Sequence, residues 1–232
     1  MLIHSAADAL RSRHSVREFL PTPVSRETVH AILDAARWAP SGGNLQAWRV
    51  IVVTGEERVR VTQLAQRALL ANPEGEGGEY PIYPPSLWEP LRTRRYALGE
   101  AMYALLKIPR EDRAGRLARF ARNYELFGAP VGLFFVIDRR CGHGQWAHLG
   151  MLMQSIALAA LDHELGTCMQ EAWGAVRTTL GAHFGLADTE VLYCGMSLGV
   201  PDAAHPVNHL RSERAPVEDF AVFKGFDPKP SD

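Results

Sequence analysis

The stretch APSGGNLQAW, residues 39–48, marks the point where a helix leads through a polar loop into a strand. Upstream, Ser25 can cap a helix that ends before Pro40. Downstream, residues 49–53 are a β-branched run of strand length. Taken alone, the two glycines of the loop favour only a helix C-cap followed by a turn. The helical spacing upstream is carried by Val29, Ile32, Leu33 and Ala36.

The rest of the chain alternates predicted helices with dispersed strands. Residues 147–165 are apolar nearly all round, which predicts a central helix enclosed on every side. Helices outnumber strands, so the fold class is α+β, in three α/β/α layers with a mixed sheet. The other predicted helices cover about 56–72, 92–106 and 110–127, and the other predicted strands cover 131–137 and 190–200.

Composition limits the function classes. The chain has 232 residues, 47% hydrophobic and 22% charged, which is typical of one globular domain with a large core. A net charge of −1 provides no basic field, so we expect neither nucleic acid nor a membrane surface as a partner. The three cysteines are widely separated, and the first residues do not resemble a signal peptide. We therefore expect a cytoplasmic protein.

A second polar stretch, RSRHSVR at residues 11–17, places three guanidiniums, one imidazole and two hydroxyls within seven residues. Guanidinium forks are well suited to binding a phosphate group. An isolated basic heptad is more often a solvated helix end, so the context decides between these interpretations. Two further polar segments provide that context, GTCMQEA at 166–172 and NHLRSERAPVEDF at 208–220.

In their order along the chain (11–17, 39–48, 166–172 and 208–220), these four segments resemble the flavin-binding elements of the nitroreductase family. The resemblance extends from about residue 10 to 223. It implies a single FMN-binding domain over residues 1–232, with a mixed, mainly antiparallel sheet flanked by helices, and an intertwined homodimer. It also implies NAD(P)H as a transient hydride donor. The most specific match is the loop, where the family's pattern is met by Pro40, Ser41, Asn44, Gln46 and Trp48.

The resemblance implies a role for each residue of the basic heptad. Arg13 and Ser15 contact the FMN phosphate and ribityl chain, and His14 lies between them. Arg17 places a cation near the pyrimidine edge of the flavin. Two-electron reduction leaves negative charge on that edge, which a fixed guanidinium stabilises.

The other three segments complete the implied site. The loop with Pro40, Ser41, Asn44 and Gln46 reaches the flavin of the partner subunit. Backbone N–H groups near Gln170 and Glu171 point at flavin N5, so no catalytic side chain is required. Arg211 and Arg214 are the candidates for a second phosphate contact, and the sequence leaves open which of them makes it.

The least matched part of the chain is 73–128, which corresponds to the family's variable substrate lid. Its aromatic residues are candidates for stacking a flat substrate over the flavin. Equally, they can simply pack the two helices predicted here. The tail from 201 to 232 is expected to wrap around the dimer partner. The aromatic candidates are Tyr80, Tyr83, Trp88, Tyr96, Phe120, Tyr124 and Phe127.

Other kinds of site find no support in the sequence. No phosphate-binding loop, Rossmann glycine motif or G-x-S-x-G elbow is present. His143 and His148 lack the spacing of metal ligands, so we expect no metal site. We expect two-electron, ping-pong reduction of a nitroaromatic or quinone-like substrate. The alternatives are a deiodinase-like or ene-reducing member of the superfamily, and a flavin-binding sensor without a substrate.

Overall fold

The computed structural model describes residues 5–226, and its centre is an antiparallel sheet with strand order β1-β2-β4-β3. The strands β2 and β4 lie in the middle and are almost entirely buried. Three of the four strands match the predicted runs. The strands are β1 (Trp48–Thr54), β2 (Val131–Asp138), β3 (Gly166–Gln170) and β4 (Glu190–Gly199).

Helices cover both faces of this sheet. Along β2, Leu133 and Phe135 belong to the core on one face, whereas Phe134 and Val136 belong to the core on the other. This alternation confirms the three-layer α+β arrangement. The helices are α1 (Ala6–Ser12), α2 (Arg26–Ala36), α3 (Gly55–Ala71), α4 (Leu91–Leu105), α5 (Arg113–Ala121), α6 (Gly142–Ala159) and α7 (Arg177–Phe184).

The first core lies between the sheet and α2 and α6, and the second lies between the sheet and α3 and α7. Ser25 caps α2 as predicted, because its side chain accepts a hydrogen bond from the backbone N–H of Thr28. Within residues 5–226, no helix is long and apolar enough to cross a membrane.

Two predicted helices differ from the structure. The helix predicted over 110–127 ends at Ala121, and a 3-10 turn (Arg122–Gly128) follows it. In that turn Leu126 and Phe127 have φ of 54° and 53°, a left-handed conformation that helical periodicity cannot reveal. Both side chains are buried, so packing holds the turn.

The central helix α6 is also not enclosed on every side. Leu149, Leu152 and Ile156 are buried on the face toward the sheet. Met151 on another face is 43% exposed, and Ala147 is exposed too. Apolar residues all round a helix predict that every face is buried, but they do not show what buries it. Among the described residues, nothing covers the face of α6 that contains Met151.

The amino-terminal segment after α1 runs along the edge strand β3. Ser15 forms a parallel bridge with Thr167, and Phe19 forms an antiparallel bridge with Pro201. The bridge at Ser15 is the parallel pairing in an otherwise antiparallel arrangement of the described strands. Gly166 permits this close approach, since a Cβ there would lie 2.5 Å from Val16 Cγ2. The basic heptad is therefore fixed against β3.

Candidate functional site

The basic heptad begins where α1 ends. Ser5 caps this short helix by accepting from the N–H of Asp8, and the chain turns to extended backbone at Arg13. The N–H of Val16 then donates to the carbonyl of Thr167 at 2.9 Å. The heptad thus leaves a helix and joins the sheet edge within a few residues, which fixes its backbone.

Basic side chains from both ends of the chain meet at this point. Burial lowers the pKa of Arg13, and the nearby charge of Arg214 lowers it further. Burial also lowers the pKa of His14, with additional contributions from Arg211, Arg13 and Arg17. We call Arg13, His14, Arg17, Arg211 and Arg214 the basic cluster.

The guanidiniums of the basic cluster form no salt bridge among the described residues. Over residues 5–226, none of its four guanidiniums lies within 4.0 Å of a carboxylate oxygen. Arg211 and Arg214 donate instead to carbonyl oxygens of their own segment. A cavity of about 240 Å³ adjoins the cluster, and its lining includes Arg13 and His14 together with one carboxylate, that of Glu164. Such a concentration of positive charge beside a cavity is suited to an anionic ligand.

Asn208 connects the two segments that supply the cluster. Its Oδ1 accepts from the N–H of Arg17 at 2.8 Å, and its Nδ2 donates to the carbonyls of Glu18 at 2.7 Å and Asp202 at 2.9 Å. Asn208 is only 4% exposed, so these hydrogen bonds are shielded from water. Its carbonyl in turn accepts from Arg211 Nη1 at 2.9 Å.

A second connection comes from α5. Arg119 Nη2 donates to the carbonyl of Arg17 at 2.7 Å, and its Nη1 donates to Glu18 Oε2 at 3.3 Å. Arg122 also pairs with Glu18, so this carboxylate lies between two guanidiniums. The backbone of Arg17 is consequently held on its N–H side by Asn208 and on its carbonyl side by Arg119.

The segment at the end of β3 presents its backbone rather than the Gln170 side chain. Gln170 is 2% exposed, accepts from Ser197 Oγ at 2.6 Å and donates to the carbonyl of Asn123 at 2.7 Å. A 3-10 turn (Glu171–Val176) follows, and the first N–H groups of such a turn have no partner within it. Burial raises the pKa of the half-buried Glu171.

The polar loop lies elsewhere. Asn44 and Gln46 are exposed with φ of 53° and 48°, Ser41 Oγ accepts from the N–H of Gln46, and Pro40 is exposed. The N–H of Gly42 donates to His148 Nδ1 near the start of α6 at 3.4 Å. The cavity of the basic cluster touches α6 at Ala157. These contacts are nine residues, roughly 14 Å, apart along α6, so one chain does not bring loop and cluster together.

The aromatic candidates divide into three groups. Phe120 and Tyr124 line a cavity of about 720 Å³, and the Tyr124 hydroxyl donates to the carbonyl of Ala172 at 3.1 Å. Tyr80 lines an adjoining cavity of about 250 Å³ together with Glu171. The remaining candidates lie outside both linings: Tyr83 stacks with Arg95, Tyr96 pairs with Arg110, Trp88 is exposed, and Phe127 is buried in the core.

Comparison with known proteins identifies the family. The model of the nitroreductase family matches residues 10–200. This chain belongs to the nitroreductase family. The resemblance inferred from the four segments is thereby confirmed.

Characterised nitroreductases are similar to this chain over nearly its whole length. Nitrobenzene nitroreductase of Ectopseudomonas oleovorans is 41% identical, over 93% of this chain and 95% of that protein. 4-Nitrobenzoate reductase of Pseudomonas putida is 37% identical, over 93% and 94%. A crystal structure of the FMN and NADPH-dependent nitroreductase NfnB from Sphigopyxis sp. strain HMH has a TM-score of 0.93 at 42% identity, over 96% and 100%. The nitroreductase-like fold is confirmed by this similarity.

Sequence reasoning about the nitroreductase motifs missed two residues of the site. Asn208 stands at the start of the closing segment, but its hydrogen bonds join residues 191 positions apart. Arg119 was visible only as one of several arginines on a predicted helix. An asparagine directly before a basic segment was the one available signal.

Proposed function

We propose that this chain is an FMN-dependent NAD(P)H oxidoreductase that reduces nitroaromatic compounds, with quinone-like compounds as further electron acceptors. Two of its relatives are named for nitrobenzene and 4-nitrobenzoate, and a similar solved structure is described as FMN and NADPH-dependent. These relatives favour nitro reduction over the deiodinase-like, ene-reducing and non-catalytic alternatives. The observation that carries the proposal is a basic cluster whose guanidiniums form no salt bridge among the described residues, joined by β3 to the Gln170–Glu171 segment.

The donor set of the basic cluster fits the phosphate of FMN. Arg13, Arg211 and Arg214 supply guanidinium groups, Ser15 supplies a hydroxyl, and His14 lies among them. A phosphate carries nearly two negative charges and accepts several charge-assisted hydrogen bonds. Because carboxylates do not neutralise these guanidiniums within residues 5–226, an anion relieves their mutual repulsion.

Arg17 has a different role. FMN held by the basic cluster would supply two-electron, ping-pong hydride chemistry between NAD(P)H and the nitro group. Arg17 provides positive charge near the pyrimidine edge, where negative charge develops. Asn208 and Arg119 fix its backbone from both sides, so the charge is held in position before the reaction.

The Gln170–Glu171 segment provides hydrogen bonds toward N5 of the flavin. The backbone N–H groups at Glu171 are the donors, and Gln170 is a positioning residue because its side chain is anchored to Ser197 and Asn123. Residues 73–128 form the lid of the substrate pocket, in which Phe120 and Tyr124 contact the aromatic substrate.

The complete site requires a homodimer. The loop with Pro40, Ser41, Asn44 and Gln46 serves the flavin of a second copy, since one chain keeps it roughly 14 Å from its own basic cluster along α6. Two α6 helices that pair in opposite directions through the face containing Met151 bring each loop toward the other cluster. The tail over 201–232 wraps around the partner, although its last residues, 227–232, lie outside the described residues.

Cytoplasmic location is part of the proposal. All three cysteines are free thiols, and Cys168 and Cys194 are buried. Free thiols support a reducing compartment.

The experiment that tests this function is an anaerobic absorption spectrum of the purified protein, recorded before and after stoichiometric NADPH. We expect flavin bands that bleach and then recover on addition of nitrobenzene. Sedimentation equilibrium on the same sample should give twice the chain mass of 25.7 kDa. A protein that neither contains nor takes up FMN would refute the function.

A further inference from the structure

An apolar cavity of about 720 Å³ lies beside the end of β3, and its volume is typical of small-ligand sites. Its walls come from α3, α5 and the loop between α3 and α4. Among the described residues on its lining, Glu74 is the only charged side chain. Leu70 is 82% exposed and Leu117 is 69% exposed, so the cavity is open to solvent. Its apolar lining includes Leu70, Ile82, Leu117, Phe120, Tyr124 and Ala172.

The adjoining cavity of about 250 Å³ continues this distribution of charge. It shares Glu74 with the larger cavity and adds Glu79 and Glu171, and its described lining contains no cation. Glu79 is paired with Arg139 at 3.1 Å and Arg177 at 2.7 Å, so its charge is compensated. Glu74 and Glu171 have no cation within 4.0 Å in the part of the chain that the structure describes.

The larger cavity is directly connected to the segment that the proposed function assigns to the flavin. Ala172 follows Glu171 and lines the cavity, and Tyr124 spans from the cavity wall to the Ala172 carbonyl. A substrate that reacts at this segment therefore lies against these apolar walls. Phe120 is 51% exposed and can stack on an aromatic ring that enters from solvent.

We propose that this cavity binds the substrate ring and selects uncharged nitroarenes over nitrobenzoates. An anionic substituent would lie on a wall whose described residues include no cation, and it would meet the carboxylate of Glu74, which is exposed at the cavity's edge. The proposal rests on the proposed function. According to this proposal, Glu74 is a specificity-determining residue, and the protein reduces nitrobenzene in preference to nitrobenzoate.

The test compares two substrates of nearly equal size that differ in charge, 4-nitrobenzamide and 4-nitrobenzoate. We expect kcat/KM for the amide to exceed that for the carboxylate by about tenfold or more, the equivalent of one unfavourable charge contact. Glu74→Gln should reduce this ratio, and Glu74→Lys should reduce it further. The matched control is Glu56→Gln, because Glu56 is exposed at the start of α3 and lines neither cavity.

A binding measurement separates recognition from turnover. Calorimetric titration of the oxidised protein with benzamide and with benzoate, without NADPH, should show the same preference and the same response to Glu74→Lys. Equal affinity for both probes, or a ratio that the Glu74 variants do not change, would overturn the proposal.

Three other outcomes are distinguishable. If Leu117→Ser changes the sedimentation mass and leaves KM unchanged, the apolar cavity is an interface between copies and the proposal is wrong. If neither nitro compound oxidises the NADPH-reduced protein, the proposed function fails. In contrast, efficient reduction of 4-nitrobenzoate overturns the selectivity and supports the function.

Discussion

The basic cluster and the apolar cavity lie at opposite ends of β3, and their charge distributions are opposite. At the start of the strand, Gly166 and Thr167 line the cavity beside Arg13, where cations have no carboxylate partner in residues 5–226. Just beyond its end, Ala172 lines a cavity whose charged residue is Glu74. One edge strand thus spans from a site for a dianion to a site for a neutral ring.

The opposite charges at the two ends of β3 can orient a single ligand. Gathering guanidiniums without counterions is unfavourable in the free protein. The pKa values of Arg13 and His14 are lowered mainly by burial and further by the neighbouring cations. The apolar cavity gains from desolvation of flat apolar surface and would be weakened by a buried charge. A cofactor held by its phosphate at the start of β3 would extend its ring toward the end of β3, next to the cavity that we propose for the substrate ring.

Substitution of Asn208, which holds the basic cluster together, should have the strongest effect on stability. Asn208→Ala removes three buried hydrogen bonds and leaves the Arg17 N–H without a partner, so the free energy of unfolding should fall by about 3 kcal/mol. Urea denaturation of the FMN-free protein measures this. His209→Ala is the control, because His209 is exposed and contacts only the Ala203 carbonyl. Equal stability of the two variants would show that the Asn208 side-chain hydrogen bonds contribute little to folding.

The next effect separates the phosphate end from the ring end. Arg13→Ala should raise the Kd for FMN roughly thirtyfold, about 2 kcal/mol, by removing a charge-assisted contact. The Kd for riboflavin, which lacks the phosphate, should stay the same. Fluorescence titration measures both. Arg11→Ala is the matched control, since its side chain is 79% exposed. If riboflavin binding weakens as much as FMN binding, Arg13 does not act at the phosphate.

Local sequence patterns predicted most of the fold because its main elements are long and regular. Ser25 fixed the start of α2, and the apolar runs of β1, β2 and β4 are seven to ten residues long. In contrast, β3 has five residues and begins with a glycine, so no run signals it. Its pairing with Ser15 is a tertiary contact between distant segments.

Site residues that belong to a sequence motif could be predicted. Residues that join the site only through contacts between distant segments could not. The basic segments are visible as residue types, whereas their convergence depends on Asn208 and Arg119. Phe127 has the same aromatic signature as Phe120, yet the left-handed turn at 126–127 places it in the core. Helical periodicity assigns both residues to one helix. In the structure, α5 ends at Ala121, and the left-handed residues 126 and 127 turn Phe127 into the core.

The smallest effect concerns protonation of His14. Its pKa in the folded protein lies below the ordinary 6.5, because of burial and the charges of Arg211, Arg13 and Arg17. Between these two values the unfolded chain binds a proton that the folded chain does not, so the free energy of unfolding should fall as pH drops below about 6.5. Urea denaturation of the FMN-free protein at several pH values measures this slope, and His14→Gln should reduce it.

Arg211→Gln provides the sharper control for this last prediction. Removing one neighbouring positive charge should raise the pKa of His14 toward its ordinary value and reduce the loss of stability at low pH. Proton NMR of the His14 ring follows this titration directly. A His14 ring that titrates above 6.5 in the FMN-free protein would contradict the cationic character of the cluster. The contrast between the two ends of β3 would then depend on shape rather than on charge.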